Sequence, residues 1–271
     1  MKTILFATDF SDSCYNAFQY LKEIIVDDEV KVDIINVYDI PVTTLLAISH
    51  NAVKGMIEER KSVVVDLLHE QMQELPENAR GEIYARYGTQ PSTEISQVSG
   101  KKNYALVVMA LRQKYSLFDR IIGTVTAQTI NQTSVPVLAI PNGAKFQPIE
   151  NILFPTNIIP GEDLSPNEED AMLSLHDFWS MSNSPVINLI HVSPDNENLD
   201  VIHKKLVFKN IDFIHTHARS VEDGLFSYFN RSDAQMLAFY KPERSFWERL
   251  YHSSLTRKIL YKSRIPVIVF S

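Results

Sequence analysis

Apolar residues gather in short β-branched runs separated by longer stretches in which they recur every three or four positions. In the first half the runs are Ile4–Ala7, Val32–Val37, Ile83–Ala85, Ala105–Met109 and Val137–Ile140. Such runs are expected of strands buried on both faces of a sheet. Helical spacing fills the gaps. Ala17, Phe18, Leu21, Ile24 and Ile25 mark a first helix that Ser11 or Asp12 can cap. A second helix spans Thr43 to Leu75 and is ended by Pro76. Pro91 suits the first turn of a third, running to about Ser99, and Thr124–Gln132 is the fourth. Strands alternating with helices predict crossover connections and a mainly parallel sheet covered on both sides.

The second half repeats this order in a shorter form. ENILFPTNI at Glu150–Ile158 echoes KTILFATDF at Lys2–Phe10, and RIPVIVFS at Arg264–Ser271 echoes SVPVLAIP at Ser134–Pro141. Expected strands are Ile152–Pro155, Val186–Val192, Ile211–His215, Ala234–Phe239 and Val267–Phe270. Expected helices lie near Asn167–Met181, Leu199–Phe208, Ser220–Phe229 and Phe246–Lys262. The reading is an internal duplication: a domain over 1–141, a linker over 142–149 containing Asn142–Gly143 and Pro148, and a second domain over 150–271. A chain of 271 residues accommodates two α/β domains, each with a five-stranded sheet.

Composition narrows the partners. The net charge of −7 disfavours non-specific attraction to nucleic acid or anionic membrane. No apolar stretch approaches the roughly 20 residues that span a bilayer, and Ile4–Ala7, followed by Asp9, is not expected to act as a signal peptide. A single cysteine, Cys14, cannot form an internal disulfide and fits the cytoplasm.

In an open parallel sheet, ligands bind outside the carboxyl ends of the strands, where strand order reverses. Candidate residues are therefore Thr8–Ser11 after the first strand, Tyr38–Val42 after the second and Ala110–Thr124 after the fourth. Asp9 can accept hydrogen bonds from a ligand; the alternative is that Asp9 or Ser11 caps the first helix. Gly123–Thr124 opens the fourth helix, where unpaired N–H groups and the helix dipole favour phosphate.

The motifs A-T-D-F-S at Ala7–Ser11, G-T-Q-P at Gly88–Pro91, V-M-A at Val108–Ala110, G-T at Gly123–Thr124 and V-P-V at Val135–Val137 resemble the universal stress protein family. Both halves fit, so the resemblance is to a tandem member with two Rossmann-like domains. It implies a stress-response or signalling module, not an enzyme beyond at most slow ATP hydrolysis. It also implies a nucleotide site at Asp9, Val37, Ala110, Arg112, Gln113, Gly123 and Thr124. Nucleotide-binding members carry a loop G-x2-G-x9-G-[ST]. Counting back from Gly123–Thr124, the first two glycines are replaced by Ala110 and Gln113. Glycines there permit positive φ and close approach of N–H groups to an anion, so their loss predicts weak or altered binding. Arg112, Lys114 and Arg120 would otherwise form a solvated basic loop.

The second copy has decayed further. Gly123 and Thr124 correspond to Ser253 and Ser254, Ala110 and Gln113 to Tyr240 and Glu243, and Asp9 to Asn157, with Pro242 stiffening the loop. No nucleotide is expected there. No cofactor is certain, Mg-ATP in the first domain is the open candidate, and a sensor of a non-nucleotide small molecule is the further alternative. His215 and His217 would share a strand face as metal ligands can, but no nearby Cys or third His completes a set, so no metal is expected. Cys14 reads as packed rather than nucleophilic, and Phe178, Trp179, Phe246 and Trp247 as core or interface aromatics.

The resemblance also implies an internal pseudo-dimer with Val137–Ile140 beside Val267–Phe270, leaving a further homodimer open. Bare apolar edges invite association. The two halves, expressed separately, are therefore expected to self-associate or precipitate. Two soluble monomers in sedimentation would refute that arrangement.

Overall fold

A computed structural model describes residues 2–25, 29–40, 49–111, 124–156, 164–179, 185–193, 210–240 and 263–270. The chain divides into two compact units, Met1–Lys145 and Phe146–Phe270.

In unit 1 the strands are β1 (Lys2–Ala7), β2 (Val30–Tyr38), β3 (Arg80–Tyr87), β4 (Tyr104–Leu111) and β5 (Val137–Pro141). They pair in the order β3-β2-β1-β4-β5, all parallel. Strands β1, β4 and β5 are buried along nearly their whole length, with Ile4, Leu5, Phe6, Val107, Val108 and Val137–Ile140 essentially inaccessible. That is why they read as unbroken apolar runs rather than as an alternation. The edge strand β3 is half-exposed and carries charge, so its apolar core Ile83–Ala85 understates its length.

Four helices are described in this unit: α1 (Asp12–Ile24), α2 (His50–Gln73), α3 (Pro91–Ser99) and α4 (Thr124–Gln132). Ser11 caps α1 by accepting the Cys14 N–H, and Ser49 caps α2 by accepting that of Ala52. Residues 43–48, expected to open the second helix, lie outside the described residues, as do 41 and 42 of the candidate segment after the second strand. Helix α2 finishes at Gln73 with Glu74 as its cap, because Pro76 disfavours helical geometry at Leu75. Phe18 of α1 packs on Phe6 of β1 with ring centroids 5.2 Å apart. Burying each such ring contributes about 1.5–3 kcal/mol.

Unit 2 repeats the plan with β6 (Asn151–Pro155), β7 (Val186–Ser193), β8 (Ile211–His217), β9 (Met236–Tyr240) and β10 (Val267–Phe270). The order β8-β7-β6-β9-β10 is again all parallel. Helices α5 (Pro166–Trp179) and α6 (Val221–Phe229) are described; the helices expected near 199–208 and 246–262 lie outside the described residues. Helix α6 sits so close to β7 that a β-carbon on Gly224 would overlap Val192. Strand β9 begins at Met236 rather than Ala234, and just before it the Gln235 side chain accepts the N–H groups of Glu150 and Asn151. No described helix is long and apolar enough to cross a membrane.

A buried carboxylate ties the sheet of unit 1 together. Asp33 of β2 is 2% exposed. It accepts hydrogen bonds from the Glu82 N–H at 2.7 Å, Lys102 Nζ at 2.9 Å and the Tyr104 hydroxyl at 2.7 Å. Lys102 also pairs with Glu82, and a β-carbon at Gly81 would overlap Asp33 Oδ1. Burial pulls the Lys102 ammonium down, but hydrogen bonds to Glu82 and Asp33 outweigh it and hold the group above the ordinary lysine range. Burial, then the Tyr84 and Asp33 neighbours, pushes the Tyr104 phenol up. Removing one member of such a cluster strands the others. Asp33→Ala should therefore cost about 3 kcal/mol, measured by urea unfolding, whereas a loss below about 1 kcal/mol would show that the cluster relaxes into solvent.

Candidate functional site

The exit of β1 in unit 1 is built by short-range hydrogen bonds. The Thr8 N–H donates to the Ile35 carbonyl at 2.9 Å, and Asn36 Nδ2 donates to the Thr8 carbonyl at 2.8 Å. Phe10 then takes a left-handed φ of 60°, a conformation that costs a non-glycine residue about 1 kcal/mol or more. Its N–H donates to Thr8 Oγ1, and the Ser11 N–H donates to Asp9 Oδ1 at 3.0 Å. Of the two capping candidates, Ser11 is the cap. Asp9 braces the turn before it with one oxygen and is exposed at the sheet's carboxyl edge.

Strand register brings the separate candidates to one level. Ala7 pairs with Ile35 and with Met109, so Asp9 stands level with Val37 and Leu111, one residue beyond Ala110. Val37 is half-buried. Ala110 is buried, and its carbonyl accepts the Thr126 hydroxyl at 3.0 Å, which ties the start of α4 to the end of β4. Thr124 is the first residue of α4. Arg112, Gln113 and Gly123 lie outside the described residues. The chain runs outward from β1 to β3 and then returns to β4 on the other side of β1. The level of Asp9 and Ala110 is thus the crevice where strand order reverses. Asn36 and Thr126 escaped the sequence reading, although a polar residue inside an apolar run such as IINVY is a usable signal.

Cys14, three residues into α1 from its cap, is 6% exposed. Burial, followed by the Asp9 charge, pushes its thiol up to about 11. The reading of Cys14 as packed agrees with that environment.

In unit 2 the matching edge is organised differently. The Thr156 N–H donates to the Ile190 carbonyl as Thr8 does to Ile35. The Thr156 hydroxyl, however, donates to Glu168 at 2.8 Å, and Ser165 donates to the other Glu168 oxygen through both its N–H and its hydroxyl. Ser165 and Glu168 form a capping box whose carboxylate stands at the end of β6. Tyr240 closes β9; Asn157, Pro242, Glu243, Ser253 and Ser254 lie outside the described residues. A third imidazole does approach the His215–His217 pair: His191 of β7 faces His215 across the ladder, ring centroids 5.8 Å apart. Strand pairing supplied it, which is why linear spacing missed it. Ser193 Oγ lies 2.9 Å from His215 Nε2. Among the described residues no three donor side chains are arranged to hold a metal ion.

Comparison with known proteins adds three findings. The family model described as the universal stress protein family matches residues 1–141. No curated protein matches the chain. Among solved structures, a universal stress protein from Archaeoglobus fulgidus DSM 4304 is similar at 15% identity and a TM-score of 0.65, covering 99% of this chain and 96% of that one. A putative universal stress protein from Pseudomonas aeruginosa UCBPP-PA14 is similar at 13% identity and a TM-score of 0.61, covering 100% and 93%. A functionally unknown protein from Pseudomonas aeruginosa PAO1 is similar at 11% and 0.59, covering 100% and 92%. These likenesses extend the two-domain Rossmann-like fold over the whole chain.

The environment of Cys14 makes a measurable difference in reactivity. A thiol moved from 9 to about 11 holds roughly a hundredfold less thiolate at pH 8. Disulfide-reagent titration should thus be at least that much slower on the native chain than in denaturant. Because the native thiol binds its proton more tightly, this group's contribution to stability is complete below pH 9 and declines as pH rises toward 11.

Proposed function

The chain belongs to the universal stress protein family, and from that premise we propose that it is a non-catalytic stress-response or signalling module. Unit 1 is read as a weak or altered adenine-nucleotide site, and unit 2 as a partner domain that binds no nucleotide.

The observation that carries this reading is the internal contrast at the two carboxyl edges. Unit 1 keeps Asp9 exposed beside the β1–β4 crevice, with α4 opening at Thr124. Its Ala110 is buried and fastened through Thr126, so that side of the crevice is stiff where the family's pattern has glycine. In unit 2 the Glu168 carboxylate stands at the end of β6, held by Thr156 and Ser165. The Thr156 and Ser165 hydroxyls are thereby committed to Glu168 rather than to a ligand.

Calorimetry with Mg-ATP tests the proposal. Affinity should be no tighter than about −6 kcal/mol, in the tens of micromolar or weaker. Ala110→Gly with Gln113→Gly restores the three-glycine spacing and should strengthen binding at least tenfold, about 1.4 kcal/mol. The equivalent pair Tyr240→Gly with Glu243→Gly should change nothing. A submicromolar constant in the parent chain would replace this reading with that of a genuine ATP-binding member. An intact fold with no gain from the restored loop would refute the decayed-loop account.

A further inference from the structure

The carboxyl edge of unit 1 carries an aromatic pair that no part of the phosphate-loop reading uses. Tyr38 ends β2 and Tyr87 ends β3; they are register partners, with ring centroids 5.8 Å apart and planes tilted by 56°. Tyr38 is 6% exposed, whereas Tyr87 is 43% exposed. The turn beyond them is held firmly. The Gly88 N–H donates to the Tyr38 carbonyl at 3.0 Å, and Arg86 pairs with Glu94 of α3 at 3.0 Å. A β-carbon on Gly88 would come within 2.9 Å of Glu94 Cγ, so the turn packs against that glutamate. Tyr87 is therefore backed by one ring and open to solvent at the edge where parallel sheets receive ligands.

The charge around this shelf selects what can lie on it. Asp9 and Asp39 are exposed at the same ends of β1 and β2. The Tyr38 phenol is pushed up by burial first and then by the negative charge of Glu58 on α2. Such surroundings oppose phosphate and favour a flat ring bearing amino groups. We propose that Tyr87, backed by Tyr38, is a stacking platform for the base of an adenine nucleoside, so that unit 1 recognises the nucleoside part of a ligand more than its phosphates. This rests on the reading of unit 1 as a nucleotide site and names the part of the ligand that it grips.

Unit 2 supplies an internal control. The bonds Thr156 to Ile190 and Ala218 to Ser193 repeat Thr8 to Ile35 and Gly88 to Tyr38, which makes Ser193 the counterpart of Tyr38 and His217 that of Tyr87. Among the described residues, the tyrosine pair is replaced at that edge by Ser193 and His217.

The test is calorimetry on the full chain with adenosine and, separately, Mg-ATP. Adenosine should bind no more weakly than Mg-ATP. Tyr87→Phe should stay within twofold of the parent, Tyr87→Ala should lose at least fivefold for adenosine, and His217→Ala should change neither ligand. Circular dichroism and the retained binding of Tyr87→Phe separate lost stacking from lost folding. Unchanged adenosine binding in Tyr87→Ala, or Mg-ATP bound tenfold more tightly than adenosine, would overturn the platform and leave the nucleotide reading of unit 1 standing. Absence of binding by either ligand at millimolar concentration would overturn both.

Discussion

Parallel pairing of β1 with a strand on each side is the constraint from which the other features follow. Parallel strands cannot be joined by tight hairpins, so each connection must cross a face of the sheet. Helices then cover the sheet, and the central strands have no solvent face left. All strand ends of one polarity emerge together, and at β1 and β4 the two halves of the sheet run away from each other. The crevice at that divergence is a product of topology before any particular side chain is considered.

What the crevice can do depends on how each copy spends its polar groups. Unit 1 uses Asn36, Thr8 and Asp9 to shape one tight turn, and accepts a left-handed Phe10 in doing so. Unit 2 uses Thr156, Ser165 and Glu168 to place a carboxylate at the equivalent strand end. Identical strand order therefore coexists with different hydrogen bonding at the two edges. The two units share a scaffold, whose core tolerates little change of volume, while their described strand ends and caps differ.

Two buried polar residues in β2 have different tasks. Asp33 gathers Lys102, Tyr104 and the Glu82 N–H, and so binds β2 to its edge strand and to the approach of β4. Asn36 reaches across to the Thr8 carbonyl and stiffens the exit of β1. One secures the body of the sheet and the other its carboxyl end. Both satisfy groups whose burial would otherwise be costly.

The order of the strands and of the described helices was legible in the chain itself, as was the repeated plan of its two halves. They rest on periodicity, on Pro and Ser at helix ends, and on recurring strand motifs, all of which are local in sequence. The cap at Ser11 and the first turn at Pro91 were readable for the same reason. Only tertiary structure could show Asp33 meeting Lys102, 69 positions away, His191 facing His215, or Tyr87 propped against Tyr38. Those contacts depend on which strands become neighbours and in what register, and a one-residue shift would send each side chain to the opposite face. Local pattern dictated the elements; register between distant strands decided the chemistry at their ends.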